Sequence, residues 1–458
     1  MRLFIVLLNL VFVCAFVSPA SSASKTEADI ESAPTGDYDF DLDAELQGIT
    51  ADNADSEQGL KHLTFNAEAT LSENIVLLRK SSRLFKQRYY DNPDQEFATE
   101  FDANLKLMAE YKKEVLTSYA RLDFEGTKKA NEWSSDGTVD EAYVLLQPDY
   151  TWSIGAGKKV LRWGRGYFAN PVAFFSRPKN VNDPEAMEEG YVLLYGDYIK
   201  SYTEGPLQTV TLTPVILPVT EKFNQDFLTS RSLNYGAKLY LLLYDTDIDL
   251  MFIADKEGKP AYGADFAYNL TSNLEIHGEI ARTFDSKAYF NDDNTFKNYE
   301  QYAFSYLLGL RYLNTHDTTF ILEYYHNGHG YEHEDMEDYY EFIDSAYEDY
   351  QNSGTDLKLK KSTFLGKEYF NQSLVMQDYA YVKITQKEPF DILYFNPSFI
   401  VLANLDDYST NIGLEFLYTP VANLDLKVKF SVNQGDKKTE FGEKAGSGSL
   451  YVEAKYYF

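Results

Sequence analysis

The ten residues Ser449-Leu450-Tyr451-Val452-Glu453-Ala454-Lys455-Tyr456-Tyr457-Phe458 alternate in character from one position to the next. A period of two is the period of a β-strand that lies between two unlike environments. The stretch therefore predicts a strand with one apolar face and one polar face. The apolar face carries Leu450, Val452, Ala454, Tyr456 and Phe458.

A final strand that ends on Phe resembles the closing strand of bacterial outer-membrane β-barrels. The resemblance implies a transmembrane barrel in the outer membrane of a Gram-negative bacterium, surrounded by lipid and lipopolysaccharide. It also implies that the barrel-assembly machinery recognises the C-terminal strand. The apolar residues of that strand would then face lipid, while its backbone pairs with the first strand and removes both sheet edges.

The N-terminus is consistent with export. Met1-Arg2 is basic, residues 3–17 are almost wholly apolar, and residues 18–23 are small. This pattern predicts a signal peptide over residues 1–23, and its apolar run is too short for a membrane-spanning helix, which needs about 20 residues. No later stretch is apolar for long enough to predict a membrane-spanning helix.

The rest of the chain is rich in rings, with 38 Tyr and 31 Phe, which favours strands. The clearest alternation runs over 97–111, and segments of similar character follow it, separated by alternately short and long gaps. Such gaps are expected of hairpins that cross a membrane with short periplasmic turns and long outer loops. The sequence therefore predicts an all-β, antiparallel, up-and-down transmembrane barrel of about 18 strands, within a range of 16 to 20.

The strand prediction divides the chain into regions. We expect the barrel at 81–458, with its first strand near 83–91, although 38–48 and 62–72 also alternate. Residues 24–80 are predicted to be an acidic periplasmic leader that is disordered, forms an extra strand or forms a plug. The predicted long outer gaps include 126–138, 164–189 and 328–373.

Cations gather around the fifth predicted strand and the loop after it, in a chain with 71 acidic and 42 basic residues. Acidic residues close the same loop. The candidate pore residues are Lys158, Lys159, Arg162, Arg165, Arg177, Lys179, Asp183, Glu185, Glu188 and Glu189.

This arrangement is similar to that of porin-type barrels, whose third outer loop folds inward and narrows the channel. The resemblance implies that 164–189 forms a constriction, where basic and acidic residues would select solutes by charge. An alternative is that Arg162 and Arg165 bind lipopolysaccharide phosphates at the outer rim. The barrel also resembles alginate-export-type barrels in its general architecture.

Little in the sequence points to catalysis. His326, His329 and His333 lie close together in the chain and are candidate metal ligands, but they need not converge in space. The chain has no Gly-x-Ser-x-Gly elbow and no Gly-rich phosphate loop before a helix. We expect no enzyme activity, no cofactor and no nucleic-acid partner.

The leading functional hypothesis is a channel for diffusion or selective passage of small solutes, because a barrel of about 18 strands leaves an aqueous lumen. The alternative is an outer-membrane component for export or assembly of a periplasmic polymer. An outer-membrane enzyme is the third possibility, although such barrels are usually smaller and filled.

Overall fold

The computed structural model describes residues 62–458 apart from Asn131, Asn182, Asp226, Asn371 and residues 228–232, 255–258 and 291–295. At 285, 286, 288–290, 296 and 298 it describes the backbone alone. The predicted signal peptide and most of the predicted leader lie outside the described residues.

Eighteen antiparallel strands form one sheet in which each strand pairs with its neighbours in sequence, as predicted. The strands are β1 Leu63–Leu78, β2 Phe97–Lys113, β3 Leu116–Lys129, β4 Glu132–Leu146, β5 Trp152–Lys159, β6 Tyr191–Ser201, β7 Leu207–Pro218, β8 Leu233–Leu243, β9 Thr246–Ala254, β10 Ala261–Thr271, β11 Leu274–Phe290, β12 Phe296–Leu313, β13 Thr318–His326, β14 Asp378–Gln386, β15 Phe395–Asn404, β16 Thr410–Val421, β17 Leu424–Gln434 and β18 Gly446–Tyr457.

The sheet closes on itself because β18 also pairs with β1, from Glu68 opposite Tyr457 to Leu78 opposite Gly446. Closure removes both sheet edges, so every strand has a hydrogen-bonded neighbour on each side. The molecule is a closed up-and-down barrel of 18 strands.

The first strand is not where the sequence analysis placed it. The strand expected at 83–91 is instead a helix, α1, Arg83–Arg88, and the barrel begins with β1, ahead of the expected boundary at residue 81. Ser82 caps α1, since its side chain accepts a hydrogen bond from Phe85 N at 3.0 Å. The alternating segment at 62–72 forms much of β1, so the strand count is unchanged.

One predicted outer loop was also wrong. Residues 126–138 form a tight hairpin in which β3 and β4 pair from Leu116 opposite Leu146 to Lys129 opposite Glu132. Trp133 there packs over Gly126, so a Cβ on this glycine would lie 2.7 Å from the indole ring. The long connection predicted at 328–373 does lie between β13 and β14, and it contains the helices α2, His333–Ser353, and α3, Leu357–Tyr369.

Alternation along the strands separates the two faces of the barrel wall. Large apolar side chains such as Phe124, Leu250 and Phe430 are about half exposed on the outside. Aromatic residues are also exposed at the short turns, where they would reach a membrane interface, among them Tyr150, Tyr244 and Tyr394. This pattern matches a wall that faces lipid outside and a polar interior.

Helices gather at the end of the barrel that carries the long connections, here called the outer end. Gln87 of α1 donates to Tyr339 of α2 at 3.0 Å and to Ser362 of α3 at 2.9 Å. Arg83 pairs with Asp344 of α2 at 2.7 Å and with Glu443 of a short helix, α4, Glu440–Glu443, at 2.5 Å. These contacts make α1, α2, α3 and α4 one packed cap. Among the described helices, none combines the length and apolar character needed to cross a membrane.

Candidate functional site

The connection between β5 and β6, residues 160–190, contacts the inner face of the barrel. We call it the third outer loop, with a first arm, 164–175, and a second arm, 181–189. The first arm bonds to side chains of β11 and β13, and the second arm to side chains of β14 and β17. The loop therefore lies inside the barrel and contacts strands on different parts of its wall.

Glu279 of β11 binds the backbone of the first arm. Its carboxylate accepts hydrogen bonds from Gly166 N at 2.5 Å and from Val172 N at 3.4 Å, and another from Arg165 N. The Asn170 side chain donates to it as well, at 3.1 Å. Glu279 is 3% exposed, so one buried carboxylate satisfies several backbone donors that have no strand partner.

Glu323 of β13 provides a second buried acceptor. Tyr167 N donates to it at 2.5 Å and Phe168 N at 2.9 Å, while His277 Nε2 lies 2.8 Å from the same carboxylate. Space for this arrangement comes from Gly309, since a Cβ there would lie 2.2 Å from His277 Nε2. Glycine is thus required opposite the histidine.

Apolar packing fixes the same arm. Phe175 is fully buried and meets Trp163 edge to face at 5.0 Å between ring centroids. Phe168 is also fully buried and stacks on Tyr381 of β14 at 4.8 Å. Each belongs to a separate buried cluster, one along β6, β7 and β9 and the other between β12, β14 and the outer cap. The first arm fills this part of the interior.

The second arm is held by ion pairs instead. Glu185 lies 2.9 Å from Lys383 of β14 and accepts a hydrogen bond from the Tyr167 hydroxyl. Asp183 lies 3.4 Å from Lys427 of β17. The side chains of Glu185 and Asp183 are 52% and 40% exposed. Although burial acts in the opposite direction, Lys383 and the Tyr167 hydroxyl lower the pKa of Glu185 below its ordinary value.

The structure distributes the predicted basic residues among different partners. Arg165 lies 3.6 Å from both Asp249 and Asp265, which face inward from β9 and β10. Arg177 pairs with Glu189 at 2.9 Å, and Lys158 pairs with the same carboxylate. The charged residues of the loop are thus neutralised locally, mostly by opposite charges of the barrel wall, which weakens the expected field between two opposed groups.

Of the remaining predicted residues, Lys179, Glu188 and Arg162 lie within electrostatic range of one another, whereas Lys159 lies against an aromatic ring. Lys179 donates to Gly166 O at 2.8 Å and to Tyr167 O at 3.0 Å, and its burial lowers its pKa. The Lys159 ammonium lies 4.0 Å from the Tyr143 ring centroid. Burial raises the pKa of Glu188, and Arg162 is exposed. These four residues do not form one cluster with Asp183 and Glu185.

The three histidines do not come together. His326 Nδ1 lies 2.8 Å from Asp378, His329 Nε2 lies 2.6 Å from the Thr283 hydroxyl, and His333 Nε2 lies 3.9 Å from Glu337. Within the part of the chain that the structure describes, no group of three or more His, Cys, Asp or Glu side chains could hold a metal ion.

The closing strand, β18, has one face toward the interior of the barrel and one toward the outside. Glu453 and Lys455 of β18 face inward, since they lie 3.8 Å from Lys427 and 3.4 Å from Glu68. The alternate residues therefore lie on the outer face. These are Leu450, Val452, Ala454 and Tyr456, followed by the exposed Phe458.

Sequence reasoning missed Glu279 and Glu323, the two residues that hold the first arm. Both occupy inward positions of alternating strands, where a charged residue is ordinarily solvated. The one signal beside them is Gly309, which stands opposite Glu323 in the pairing of β12 with β13. Small residues beside a lumen-facing acid indicate that another segment approaches closely.

A cavity of about 110 Å³ lies between the second arm and the wall formed by β14–β18. Its charged lining comprises acids from the loop and both acids and lysines from the strands: Asp183, Glu185, Glu415, Glu453, Lys383, Lys427, Lys429 and Lys455. Tyr381, Ile400 and Leu402 provide an apolar side. The arrangement can hold a small molecule that carries both charged and apolar groups.

No family model and no curated protein matches this chain. Among solved structures, it is similar to Wzi of Escherichia coli, which is described as a carbohydrate-binding β-barrel of the outer membrane involved in group 1 capsule assembly. The TM-score is 0.50 at 9% identity, over 87% of this chain and 85% of Wzi.

Porins also resemble the chain. A BenF-like porin from Pseudomonas fluorescens has a TM-score of 0.49 at 11% identity, over 87% of this chain and 99% of the porin. OpdQ of Pseudomonas aeruginosa has a TM-score of 0.47 at 9% identity, over 86% and 98% of the two chains. At such identities similarity concerns the fold alone, and that fold is a closed β-barrel like those of bacterial outer membranes.

Proposed function

We propose that this protein is an outer-membrane channel for small solutes, with the third outer loop as its constriction. The observation that carries the proposal is the asymmetric attachment of this loop. Its first arm packs tightly against one part of the inner wall, while its second arm leaves a charge-lined cavity beside β14–β18. Barrels of this size have room for both a folded-in loop and an aqueous path.

The proposed path passes the second arm. There, Lys383 and Lys427 of the wall contact Glu185 and Asp183 of the loop beside the cavity, so a solute meets charges of both signs at short range. Charged groups in a narrow, partly desolvated passage discriminate between solutes more strongly than they would in open water.

The outer surface supports a membrane location. A band of exposed apolar residues surrounds the strands, and aromatic residues are exposed at the short turns. We infer that lipid and lipopolysaccharide surround the barrel, and that export by a cleaved signal peptide and insertion by the barrel-assembly machinery precede this state.

Planar-bilayer conductance of the refolded protein tests the channel. We expect discrete ion currents in KCl, and the double variant Lys383→Glu/Lys427→Glu should shift the reversal potential in a KCl gradient toward cation selectivity. Lys387→Glu, in the turn after β14, serves as the control and should leave the reversal potential unchanged. A folded wild-type barrel that carries no current would refute the channel.

One observation favours the alternative of an export or assembly component. The outer cap and the first arm share a buried cluster that includes Phe168, Met336 and Tyr340, so this part of the outer end is densely packed. The similarity to Wzi, whose structure is described as carbohydrate-binding, agrees with such a role. Absence of ion current combined with direct binding of an oligosaccharide to the folded barrel would support this alternative.

A further inference from the structure

Aromatic side chains form a row across the outer face of strands β9 to β12, and a cation stands within it. Phe252 lies opposite Tyr262 in the pairing of β9 with β10. Arg282 of β11 lies opposite Tyr262 on one side and opposite Phe304 of β12 on the other. Residues directly opposite one another on antiparallel strands are neighbours on the same face of the sheet. The exposed Arg282 is therefore surrounded by exposed rings on the face that meets the membrane.

A second cation lies beside the first, and each lies over a ring. The Arg282 guanidinium lies 3.7 Å from the centroid of the Tyr302 ring, and the Lys259 ammonium lies 3.9 Å from that of Phe284. The two rings meet edge to face at 5.6 Å between centroids. We call these four side chains the cation–aromatic cluster. Each ring holds its cation by one side, so the other side remains open to a further partner.

The cation–aromatic cluster lies near the outer end of the barrel wall. Arg282 is eight residues beyond Leu274, where β11 leaves its short turn. At 3.3 Å per residue and the usual strand tilt, this places it about 20 Å above the turn. The apolar band of a transmembrane barrel is about 25 Å tall and is bordered by aromatic girdles. The cluster therefore lies at the level where the headgroups of the outer leaflet begin.

The charges of the two cations are only partly neutralised by the protein. Lys259 lies 3.6 Å from Glu300, whose side chain is largely exposed, and such a pair contributes little. Among the carboxylates that the structure describes, none pairs with Arg282. A cation at the membrane surface that lacks a strong protein partner attracts anionic lipid headgroups.

Another sector of the wall shows that such a cluster is not required for a barrel of this kind. Val432 is eight residues beyond Leu424, the first residue of β17, so its position along the strand corresponds to that of Arg282. Its neighbours across the pairing are Ile412 of β16 and Gly448 of β18. This row is apolar. The cations therefore distinguish the sector β10–β12 from the sector β16–β18.

We propose that the cation–aromatic cluster is a binding site for lipopolysaccharide, in which Arg282 and Lys259 contact a phosphate of the lipid A headgroup. A guanidinium can donate to two phosphate oxygens at once, and an ammonium adds a compact point charge. The exposed rings of Tyr262 and Tyr302 offer flat apolar surfaces to the C–H faces of the lipid A sugars. The inference rests on the membrane location of the barrel and not on its conductance.

Native mass spectrometry of the folded full-length protein in detergent tests the site, with bisphosphorylated lipid A as the probe. We expect the double variant Arg282→Gln/Lys259→Gln to weaken lipid A binding about tenfold or more, because both phosphate contacts lose their charge. Lys200→Gln is the matched control, since the Lys200 ammonium lies 5.2 Å from the Tyr202 ring centroid at the short-turn end of β6. This variant should bind lipid A like the wild type.

A charge-preserving variant separates loss of charge from damage to the wall. Arg282→Lys/Lys259→Arg keeps both cations, and we expect it to bind lipid A within about threefold of the wild type. If this variant lost binding as completely as the Gln double variant, or if the Gln double variant bound lipid A normally, the site would be overturned.

A second lipid tests the source of the phosphate. Phosphatidylglycerol carries one phosphate and no sugar, so we expect it to bind about tenfold more weakly than lipid A. Equal affinity for the two lipids would overturn the assignment to lipopolysaccharide. Lipid A binding should also weaken in 1 M NaCl, where the Debye length is about 3 Å. An affinity that salt does not change would contradict recognition by Arg282 and Lys259.

Discussion

The two arms of the third outer loop are attached to the barrel by different physical means. The first arm gives its backbone N–H groups to Glu279 and Glu323, which are 3% and 1% exposed, and it buries Phe168 and Phe175. The second arm makes ion pairs from side chains that remain about half exposed. Both arms belong to one connection of the chain, so the difference arises from the contacts and not from the backbone.

This difference has a functional meaning. A buried carboxylate that accepts several backbone donors is expensive to disturb, because the donors would lose their partners in a site that water does not reach. An exposed ion pair contributes little and responds to salt. We therefore expect a rigid first arm that sets the shape of the lumen and an adjustable second arm that responds to the solute.

Removing apolar packing from the first arm should have the largest effect. Phe175→Ala deletes a fully buried ring that contacts Trp163 and Phe227, and we expect it to lower the free energy of unfolding by about 4 kcal/mol. Urea unfolding in lipid vesicles measures the change. Phe364→Ala, at a side chain that is 63% exposed on α3, is the matched control and should change stability by less than about 0.5 kcal/mol. Similar losses in both variants would contradict a packed first arm.

Removal of a buried acceptor should follow in size. Glu279→Ala leaves the backbone N–H groups of Gly166 and Val172 without their acceptor, and we expect a loss of about 3 kcal/mol in the free energy of unfolding. Glu185→Ala on the second arm should cost less than about 1 kcal/mol, because its ion pair is half exposed. Urea unfolding in lipid vesicles measures the loss of stability in both variants. Equal costs would mean that the arms do not differ in attachment.

The barrel could be predicted because its signals are local. Alternation along 97–111 and 449–458 reports the two faces of each strand directly. The alternation of short and long gaps follows from hairpins that cross the membrane. The error at 83–91 has a local cause as well, since the cap at Ser82 and the burial of Phe85 and Gln87 favour a helical turn there. Strand periodicity alone does not report such caps.

The attachment of the loop could not be predicted, because it joins residues far apart in the chain. Glu279 follows Gly166 by 113 residues, and Glu323 follows Tyr167 by 156. Pattern analysis identified the charged residues of the loop but not the acids of the wall that bind the loop. These acids occupy ordinary inward positions and are Asp249 on β9, Asp265 on β10, Glu279 on β11 and Glu323 on β13. The pairing of Arg165 with Asp249 and Asp265 is likewise a consequence of barrel closure.

Substitutions at two glycines, Gly309 and Gly413, test how tightly the barrel wall is packed opposite each arm. A Cβ at Gly309, beside the first-arm anchor, would lie 2.2 Å from His277 Nε2, whereas a Cβ at Gly413, in the wall of the cavity, would have no neighbour nearer than 3.6 Å. We expect Gly309→Ala to lower the free energy of unfolding by about 2 kcal/mol through overpacking. Gly413→Ala should change it by less than about 0.5 kcal/mol. If Gly309→Ala left the stability unchanged, His277 and Glu323 would have room to move away from the added methyl group.

The smallest effect, and the most specific, concerns the acid dependence of the second arm. The folded protein lowers the pKa of Glu185 from its ordinary value of 4.5, so the ionised form stabilises the fold at pH values above 4.5. This contribution, less than about 1 kcal/mol for an exposed pair, should be lost as the pH falls through the lowered pKa. The measurement is the difference in unfolding free energy between the wild type and Glu185→Gln at several pH values and at low and high salt. We expect the wild type to be slightly more stable at pH 7 in low salt, with the difference vanishing in acid and shrinking in 1 M salt, where the Debye length is about 3 Å. A difference that persists in acid, or that salt does not alter, would mean that Glu185 is held as firmly as Glu279, and the distinction between a rigid arm and an adjustable one would fail.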